Sequence, residues 1–566
     1  MAGHCIVCGM GAVGYRIVEL LHRLGERVVV ITEQVLDERR QTAEALGVRV
    51  ILGDARGDRL LREAGLDSAR ALIAATDQDL VNLEVALDAR RLRPDLPVVI
   101  RLFDQELARQ LETSLEIRRA LGMSALAAPS FTAAALGEAM LASLTLREAP
   151  YVVGRQIVGD GPLAGCPTVA AVARRFQLLS VARERPGEEC AALPAAEEPL
   201  APGDRLSLLG RKRDWDALFT PPEAPPPARV TPPLWQRLSR SLRRGAAVWK
   251  DVPLTLRALF LGLCLAIPAM VLLFHYWFRL TLTDAVFFTV ITLHGEIGLT
   301  DAGPQIKMYE ILLMVLGSVT LATLYSMITD YLVGSRLRKL LGARTVPRSG
   351  HIVVVGMGHI GFRVVDELAA LGVPAVAVDA DPDGSFLAAV RTKVPLVVGD
   401  ARLDDTLERA GLARARAVVA ATGDDSVNLG IGIAARRMNP RVRTVVRLFD
   451  AEFARKVENA LGIDAALSSS RIAAPTFVAA ALFSDVAKAF IVGDRLFILT
   501  LRKAGPEWAG RELAALRAEE GIHILVRNGQ LVAGRAEAPL SPDEEILAGQ
   551  WRKLAPARSE RTAAGV

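Results

Sequence analysis

The sequence predicts two doubly wound α/β domains, each followed by a small α+β domain, with an α-helical two-span membrane segment between the halves. Three observations predict it. A strand-and-helix pattern opening on a glycine-rich turn occurs twice, at CIVCGMGAVGYRIVELLHRLG and IVVVGMGHIGFRVVDELAALG. Two long apolar runs, 258–278 and 311–333, lie between the copies. A proline-dense stretch, TPPEAPPPARVTPP at 220–233, parts the first half from those runs.

The repeat comes first because it governs the rest. LGDARGDRLLREAGLDSARALIAATDQDLVN answers VGDARLDDTLERAGLARARAVVAATGDDSVN, VVIRLFDQELARQLE answers TVVRLFDAEFARKVE, and APSFTAAAL answers APTFVAAAL. From Asp54/Asp400 to Leu136/Leu482 the copies hold one register, as a duplication leaves them. In the first copy, strands are expected near 4–9, 27–32, 48–54, 69–76 and 97–102. They are continuous Val/Ile-rich runs, as parallel strands buried on both faces are. Amphipathic helices are expected between them, at 13–24 and 80–91 among others. The alternation defines a doubly wound sheet. After each copy, at 151–213 and 488–555, short alternating segments with Gly and Pro turns read as a small α+β domain; 495–501, 522–527 and 545–548 are examples.

The domain plan follows: 1–140 and 150–215, a linker and basic helix at 216–253, the two-span module at 254–340, then 348–483, 487–555 and a tail at 556–566. The proline-rich piece reads as a stiff extended linker. The stretch 235–250 carries Arg237, Arg240, Arg243, Arg244 and Lys250, and reads either as an interfacial amphipathic helix or as a solvated charged one. Runs 258–278 and 311–333 are long enough to cross a bilayer core of about 30 Å. Basic residues cluster outside the pair, with Arg336, Arg338, Lys339 and Arg344 after it; between the runs stand Arg279 and Lys307. That asymmetry puts both flanks, and so both soluble halves, on the cytoplasmic side. A chain opening on an apolar strand rather than a leader agrees with that. A third apolar piece, 282–293, is too short to span. It runs into His294-Gly-Glu-Ile-Gly298, the layout of a re-entrant helix feeding an extended pore segment. Thr323, Ser326 and Asp330 share a face of the second run, as pore-lining or helix-packing groups, and Gly317 offers it a bend.

The glycine turns carry the binding chemistry, and each follows a strand and opens a helix. Gly9, Gly11 and Gly14 suit the tight turn, the close backbone approach and helix–strand packing; Gly356, Gly358 and Gly361 repeat them. A diphosphate would lie over the helix N-terminus on free backbone N–H groups, at Ala12 and Val13 in one copy and His359 and Ile360 in the other. An acid ending the second strand would hold ribose hydroxyls. The second copy has it in Asp379. The first has Thr32 there, with Glu33 one residue on, so its site is either altered in preference or structural.

These residues resemble a known family. GMGAVG/GMGHIG, LGDA/VGDA, AATDQDLVN/AATGDDSVN, RLFD and APxFxAAAL resemble the RCK domain, the Trk-type NAD-binding domain with a Rossmann-like fold, and the smaller units resemble its C-terminal domain. Asp284-Ala285, the short third helix and the Asp301/Pro304 ending resemble the two-helix pore module of potassium channels. The resemblance implies cleft-lining roles for Asp54 and Asp400 with Ala401, and for Thr76 and Thr422. It implies Arg101 and Arg447 as phosphate neighbours, with an internal salt bridge as the alternative for each. It implies NAD(H) or ATP/ADP as regulatory ligand, with a divalent cation as a further candidate, and a homotetramer around one pore in the cell membrane. One departure stands out. The family filter reads Thr-Val-Gly-Tyr-Gly-Asp, whereas Thr292, Leu293, His294, Gly295, Glu296, Ile297 and Gly298 stand here. Glu296 either forms a fourfold carboxylate ring, which favours cations broadly, or braces the filter from behind.

Composition narrows the remaining classes. With 68 basic against 63 acidic residues and no basic run interleaved with aromatics, no nucleic-acid partner is expected. Cys5 and Cys8 form a CxxC inside an apolar strand, read as packing rather than redox or metal chemistry. The rival enzyme reading, a tethered dehydrogenase, needs a proton-transfer residue by the nicotinamide. The sequence has 7 histidines, none taken to match between the copies, so no enzymatic activity is expected. A second rival is a regulatory subunit that conducts nothing and docks on a separate transporter.

Overall fold

The computed structural model describes residues 3–103, 108, 117–137, 140–147, 149–159, 161–218, 254–294, 344–532 and 539–556, with single positions between 304 and 329. The chain divides into two compact units, residues 1–221 with 345–566, and residues 222–344.

In the larger unit, the first lobe has strands β1 (His4–Cys8), β2 (Val28–Thr32), β3 (Arg49–Leu52), β4 (Ala69–Ala74), β5 (Val98–Leu102) and β6 (Arg119–Gly122). They form one sheet in the order β3-β2-β1-β4-β5-β6. All its pairings are parallel; Val7 sits between Val30 and Ile73. β1 and β2 are buried throughout, as helices on both faces require. A small antiparallel sheet follows, of β7 (Met140–Leu146), β8 (Ala149–Ile157), β9 (Leu179–Glu184), β10 (Ala191–Ala192) and β11 (Arg205–Arg211), in the order β10-β9-β11-β8-β7.

The second lobe repeats the plan. Strands β12 (Ile352–Val355), β13 (Ala375–Asp379), β14 (Leu396–Val398), β15 (Ala417–Ala420), β16 (Arg443–Arg447) and β17 (Ala465–Leu467) run in the order β14-β13-β12-β15-β16-β17. Its small sheet has β18 (Val486–Val492), β19 (Arg495–Lys503), β20 (Ile522–Arg527), β21 (Gln530–Leu531) and β22 (Glu545–Lys553), ordered β18-β19-β22-β20-β21. Both sheets close on a short sixth strand, β6 and β17, that the sequence did not announce. Three or four residues give too little pattern to read.

The lobes exchange helices. Met123–Leu136 leaves the first lobe and packs into the core of the second, placing Ala127, Ala128, Phe131 and Ala134 among Val354, Ile360, Val364 and Leu368. Ser469–Leu482 does the converse, placing Ala474, Phe477 and Val478 among Val13, Ile17 and Leu21. The sequences MSALAAPSFTAAAL and SSRIAAPTFVAAAL are small or apolar nearly all round, so such a helix is stable only when surrounded. The small sheets share a core too, where Tyr151 and Val153 meet Phe490 and Phe497.

The two exchanged interfaces differ in polarity. In one, Thr132 donates to the Glu367 carboxylate at 2.7 Å and buried Lys488 donates to the Leu126 carbonyl at 2.9 Å. Burial pushes the Glu367 carboxyl up to about 7 and the Lys488 ammonium down to about 8. The matching residues of the other interface are Val478, Leu20 and Ala142, all apolar.

In the smaller unit, Leu254–Trp277 and Leu282–His294 are helices, the second taking in the third apolar piece. They meet around Phe274 and Ala285, with Phe274 and Phe288 centroids 6.4 Å apart. The turn between them is held by His275 Nδ1 donating to the Leu280 carbonyl at 2.9 Å and Thr281 donating to Asp284 at 2.6 Å. Among the described residues no helix is long and apolar enough to cross a membrane. Leu254–Trp277 has 24 residues, but the side chains of 254–261 and of Leu263, Cys264 and Ala266 lie outside the described set. Thr292, Leu293 and His294 end the second helix; Gly295, Glu296, Ile297 and Gly298 lie outside the described residues, as do Thr323, Asp330 and Gly317, the linker at 220–233 and the basic stretch at 235–250.

Candidate functional site: two glycine-lined clefts

Each lobe forms a cleft where β1 or β12 ends and the next helix begins. Gly9 and Gly356 turn the chain at φ +95° and +87°, and a Cβ on either would come within 3 Å of Thr76 or Thr422. Gly14 and Gly361 let helix and turn touch, since a Cβ there would lie 1.9 Å from the carbonyl oxygen of Gly9 or Gly356. Gly11 and Gly358 differ in kind. Each caps its helix with no side-chain hydrogen bond, and a Cβ on either would meet nothing within 4 Å. Open space beside a helix N-terminus with unused N–H groups is what a diphosphate occupies, so the cradle fits the group. Val13 and Ile360 point into the core, so the loop could serve a ligand there through backbone.

The clefts part company at the end of the second strand. Asp379 accepts from the backbone N–H of Met357 in the glycine turn, and from Asp381 N–H at 2.9 Å, leaving a carboxylate at the cleft mouth. Thr32 takes the same place in the first lobe. Its hydroxyl accepts from Met10 N–H at 3.3 Å and donates to the Gln34 carbonyl at 2.7 Å, so its proton is already used. Glu33 is exposed beyond the strand end.

Deeper residues match in both clefts. Asp54 and Asp400 each accept from the backbone N–H two residues on, at 2.9 Å, and pair with Arg56 and Arg402, which hold their carboxyls below the usual range. Ala401 is buried. Arg101 and Arg447 form no ion pair among the described residues; they lie over Phe103 and Phe449 at 4.7 and 4.6 Å, each with a buried, unpartnered Nε. Arg447 also donates through Nη1 to the Thr422 carbonyl at 3.2 Å.

Two residue pairs escaped the sequence reading. Asn82 is buried and saturated: Oδ1 accepts from Thr76 N–H and hydroxyl at 2.9 and 2.7 Å, and Nδ2 donates to the carbonyls of Thr76 and Arg101. Asn428 repeats all four bonds. Each asparagine thus locks the threonine and arginine of its cleft together. Phe103 and Phe449 are held by their backbone N–H groups to Asp79 and Asp425. Recurrence at one register position in both copies was the signal available for both pairs.

One expectation is corrected. His4 and His351 do match between copies, each five residues before the first glycine. Both are buried, with Nε2 on the Ala64 and Ala410 carbonyls at 2.7 and 2.9 Å. They tie the strand start to a turn at the far end of the sheet from the clefts. Cys5 and Cys8 are buried free thiols pushed up to about 12 by burial, which suppresses the thiolate that redox or metal chemistry needs. Among the described residues no group of three or more His, Cys, Asp or Glu could hold a metal ion.

The fold and clefts define a doubly wound α/β domain with a glycine cradle at the end of its first strand, built twice. The TrkA-N domain model matches residues 5–121 and 352–469, so the chain carries that domain in both halves. The Trk system potassium uptake protein TrkA of Mycobacterium tuberculosis is 28% identical over 201 residues, 35% of this chain and 90% of that protein. Potassium channel protein 1 of Methanocaldococcus jannaschii is 24% identical over 172 residues, 28% of this chain, which spans about half (51%) of that protein's length. Among solved structures, the GsuK channel bound to NAD shares the fold with TM-score 0.52 at 17% identity, covering 99% of this chain and 78% of that one.

Proposed function

We propose that this chain is a subunit of a nucleotide-gated cation channel of the cell membrane, acting by conformational change without chemistry. The observation that carries the reading is the second cleft, where the Asp379 carboxylate bonds to an open glycine cradle and Arg447 bonds to the Thr422 carbonyl beside that glycine turn. NAD(H) or ATP/ADP fits: diphosphate on the helix N-terminus, ribose hydroxyls on Asp379, a further phosphate near Arg447. Asp379 favours a free ribose and disfavours a 2′-phosphate. The first cleft lacks the carboxylate and binds the same ligand more weakly or serves as scaffold.

The apolar runs at 258–278 and 311–333, the short helix between them and the basic flanks support a two-span pore module with both soluble halves on the cytoplasmic side. Four subunits would surround one pore and set eight α/β copies in a ring, pulling the second span through residues 335–347. A ligand shifts such a pore by its difference in affinity for the two ring shapes. A tenfold preference is about 1.4 kcal/mol per site, so several sites together dominate the equilibrium. With the filter reading His-Gly-Glu, the permeant ion is potassium or a broader set of cations including divalent ones.

Flux through purified protein in liposomes tests this, comparing potassium, sodium and calcium with and without NAD(H) or ATP. Nucleotide-dependent flux that Asp379→Ala abolishes is the expected result. A second reading, a membrane-anchored regulatory subunit of a Trk-like transporter, is favoured by the match to nearly all of a Trk uptake protein. Bound nucleotide with no flux under any condition would decide for it.

A further inference from the structure

We propose that Phe103, carried by the first lobe, is a positioning residue of the second lobe's nucleotide cleft. The inference rests on the nucleotide reading above. His359 follows Gly358, the open position of the second cradle, and stays exposed beside it. Its ring does not swing freely. Phe103 stacks on it with centroids 4.7 Å apart at 24°, and Phe386 meets it edge-on at 4.9 Å and 72°. Phe386 stacks in turn on Phe362 at 4.9 Å, on the helix that the cradle caps. Arg101 also lies over Phe103, at 4.7 Å. A continuous ladder thus runs from the arginine of the first cleft to the glycine turn of the second.

Pseudo-symmetry supplies the control. Phe449 sits under Arg447 as Phe103 sits under Arg101. The residue that takes the place of His359 in the first lobe is Ala12, and Arg39 takes the place of Phe386. With no ring at Ala12 the mirror ladder cannot form, so the support runs one way, from the first lobe to the second cleft. A ring fixed before binding spares the ordering cost that a free histidine would add when a diphosphate settles beside it. Phe103 acts through His359 and need not touch the ligand.

The test titrates NAD and ADP into the full-length protein by calorimetry, taking the binding lost on Asp379→Ala as that of the second cleft. Phe103→Ala is expected to weaken this binding about fivefold, the scale of one aromatic pair. Phe103→Tyr should restore it. His359→Ala should cost as much as Phe103→Ala, and the double variant no more than either, which a general loss of stability would not reproduce. His359→Ala truncates an exposed side chain, so it keeps the test open if Phe103→Ala fails to fold. Additive losses of Phe103→Ala and His359→Ala, or no loss, would overturn the proposal while the nucleotide reading stood. Absence of Asp379-dependent binding in the unaltered protein would instead overturn that reading, and this inference with it.

Discussion

The two lobes share a sheet order, a glycine turn, a saturated asparagine and a stacked arginine, yet they differ wherever a ligand or an interface needs charge. The second has Asp379 where the first has Thr32. The helix behind its cradle carries Glu367, facing Thr132, where the first lobe sets Leu20 against Val478. Each difference swaps a neutral or apolar side chain for a charged one at a conserved backbone position. Duplication thus preserved the scaffold while chemistry concentrated in one copy. The first lobe contributes an exchanged helix and a shared core to the second.

The largest expected effect tests whether the scaffolds are equivalent. Gly14→Ala and Gly361→Ala each drive a Cβ against a carbonyl at 1.9 Å, where backbone and not a flexible side chain must yield. Each should cost more than about 3 kcal/mol, read as loss of the cooperative melting transition. A lobe that tolerated its alanine would break the equivalence. The next effect exchanges the chemistry. Asp379→Thr writes the first cleft into the second and should weaken nucleotide binding about 10- to 100-fold, the worth of one or two charge-assisted hydrogen bonds. Thr32→Asp should strengthen binding in the first cleft in calorimetry; no gain would show that the clefts differ by more than this position.

A smaller effect probes the polar interface. Thr132→Val strips the buried Glu367 carboxyl of its partner and should cost about 1–2 kcal/mol in chemical denaturation, while the mirror residue is already valine. Its pH dependence has a definite sign. Glu367 sits at about 7 in the fold against an ordinary 4.5, so in that window the folded chain holds a proton that the unfolded chain has released. Its contribution therefore makes stability fall as pH rises from 4.5 towards 7, and Glu367→Gln should flatten that slope. Lys488 acts oppositely and higher up. At about 8 against 10.5 it loses its proton first in the folded chain, so its contribution makes stability rise across that interval. The smallest effect is Arg56→Ala. It removes half-exposed pairs with Asp54 and Glu84 and should leave the melting transition where it is. A matching result for Arg402→Ala would show that this turn is one place where the copies remain interchangeable.

Much of this was legible before any coordinates. Val/Ile runs announced β1, β2, β4 and β5 within a residue or two, because continuous apolar runs are what a two-sided parallel sheet demands. The glycine spacing announced the cradles, and Asp379 against Thr32 announced their inequality. Less legible were residues whose work depends on a neighbour distant in sequence. Asn82 reads as an ordinary helix-start polar residue until its amide meets the Arg101 carbonyl. Phe103 stands in the repeated RLFD segment without a role of its own until it stacks on a histidine in the other lobe. Arg101 and Arg447 read as phosphate neighbours or salt-bridge members alike until the fold lays each over a phenylalanine ring two residues on.

What the sequence determined by itself is the repertoire: two copies of one strand–turn–helix plan, which of them holds a carboxylate, and which helices must be buried. Their all-round apolar surface requires burial without saying against what. The choice of partner belonged to the tertiary structure. Both lobes offer a groove lined largely by apolar side chains, and a helix that is apolar nearly all round carries no face that singles out one of them. Each exchanged helix leads straight into its small sheet, and the two small sheets join in one core around Tyr151 and Phe497. In the observed structure that shared core accompanies the reciprocal exchange, placing Phe131 in the second lobe and Phe477 in the first. Contacts between residues hundreds of positions apart set this arrangement, and no periodicity within either helix encodes them.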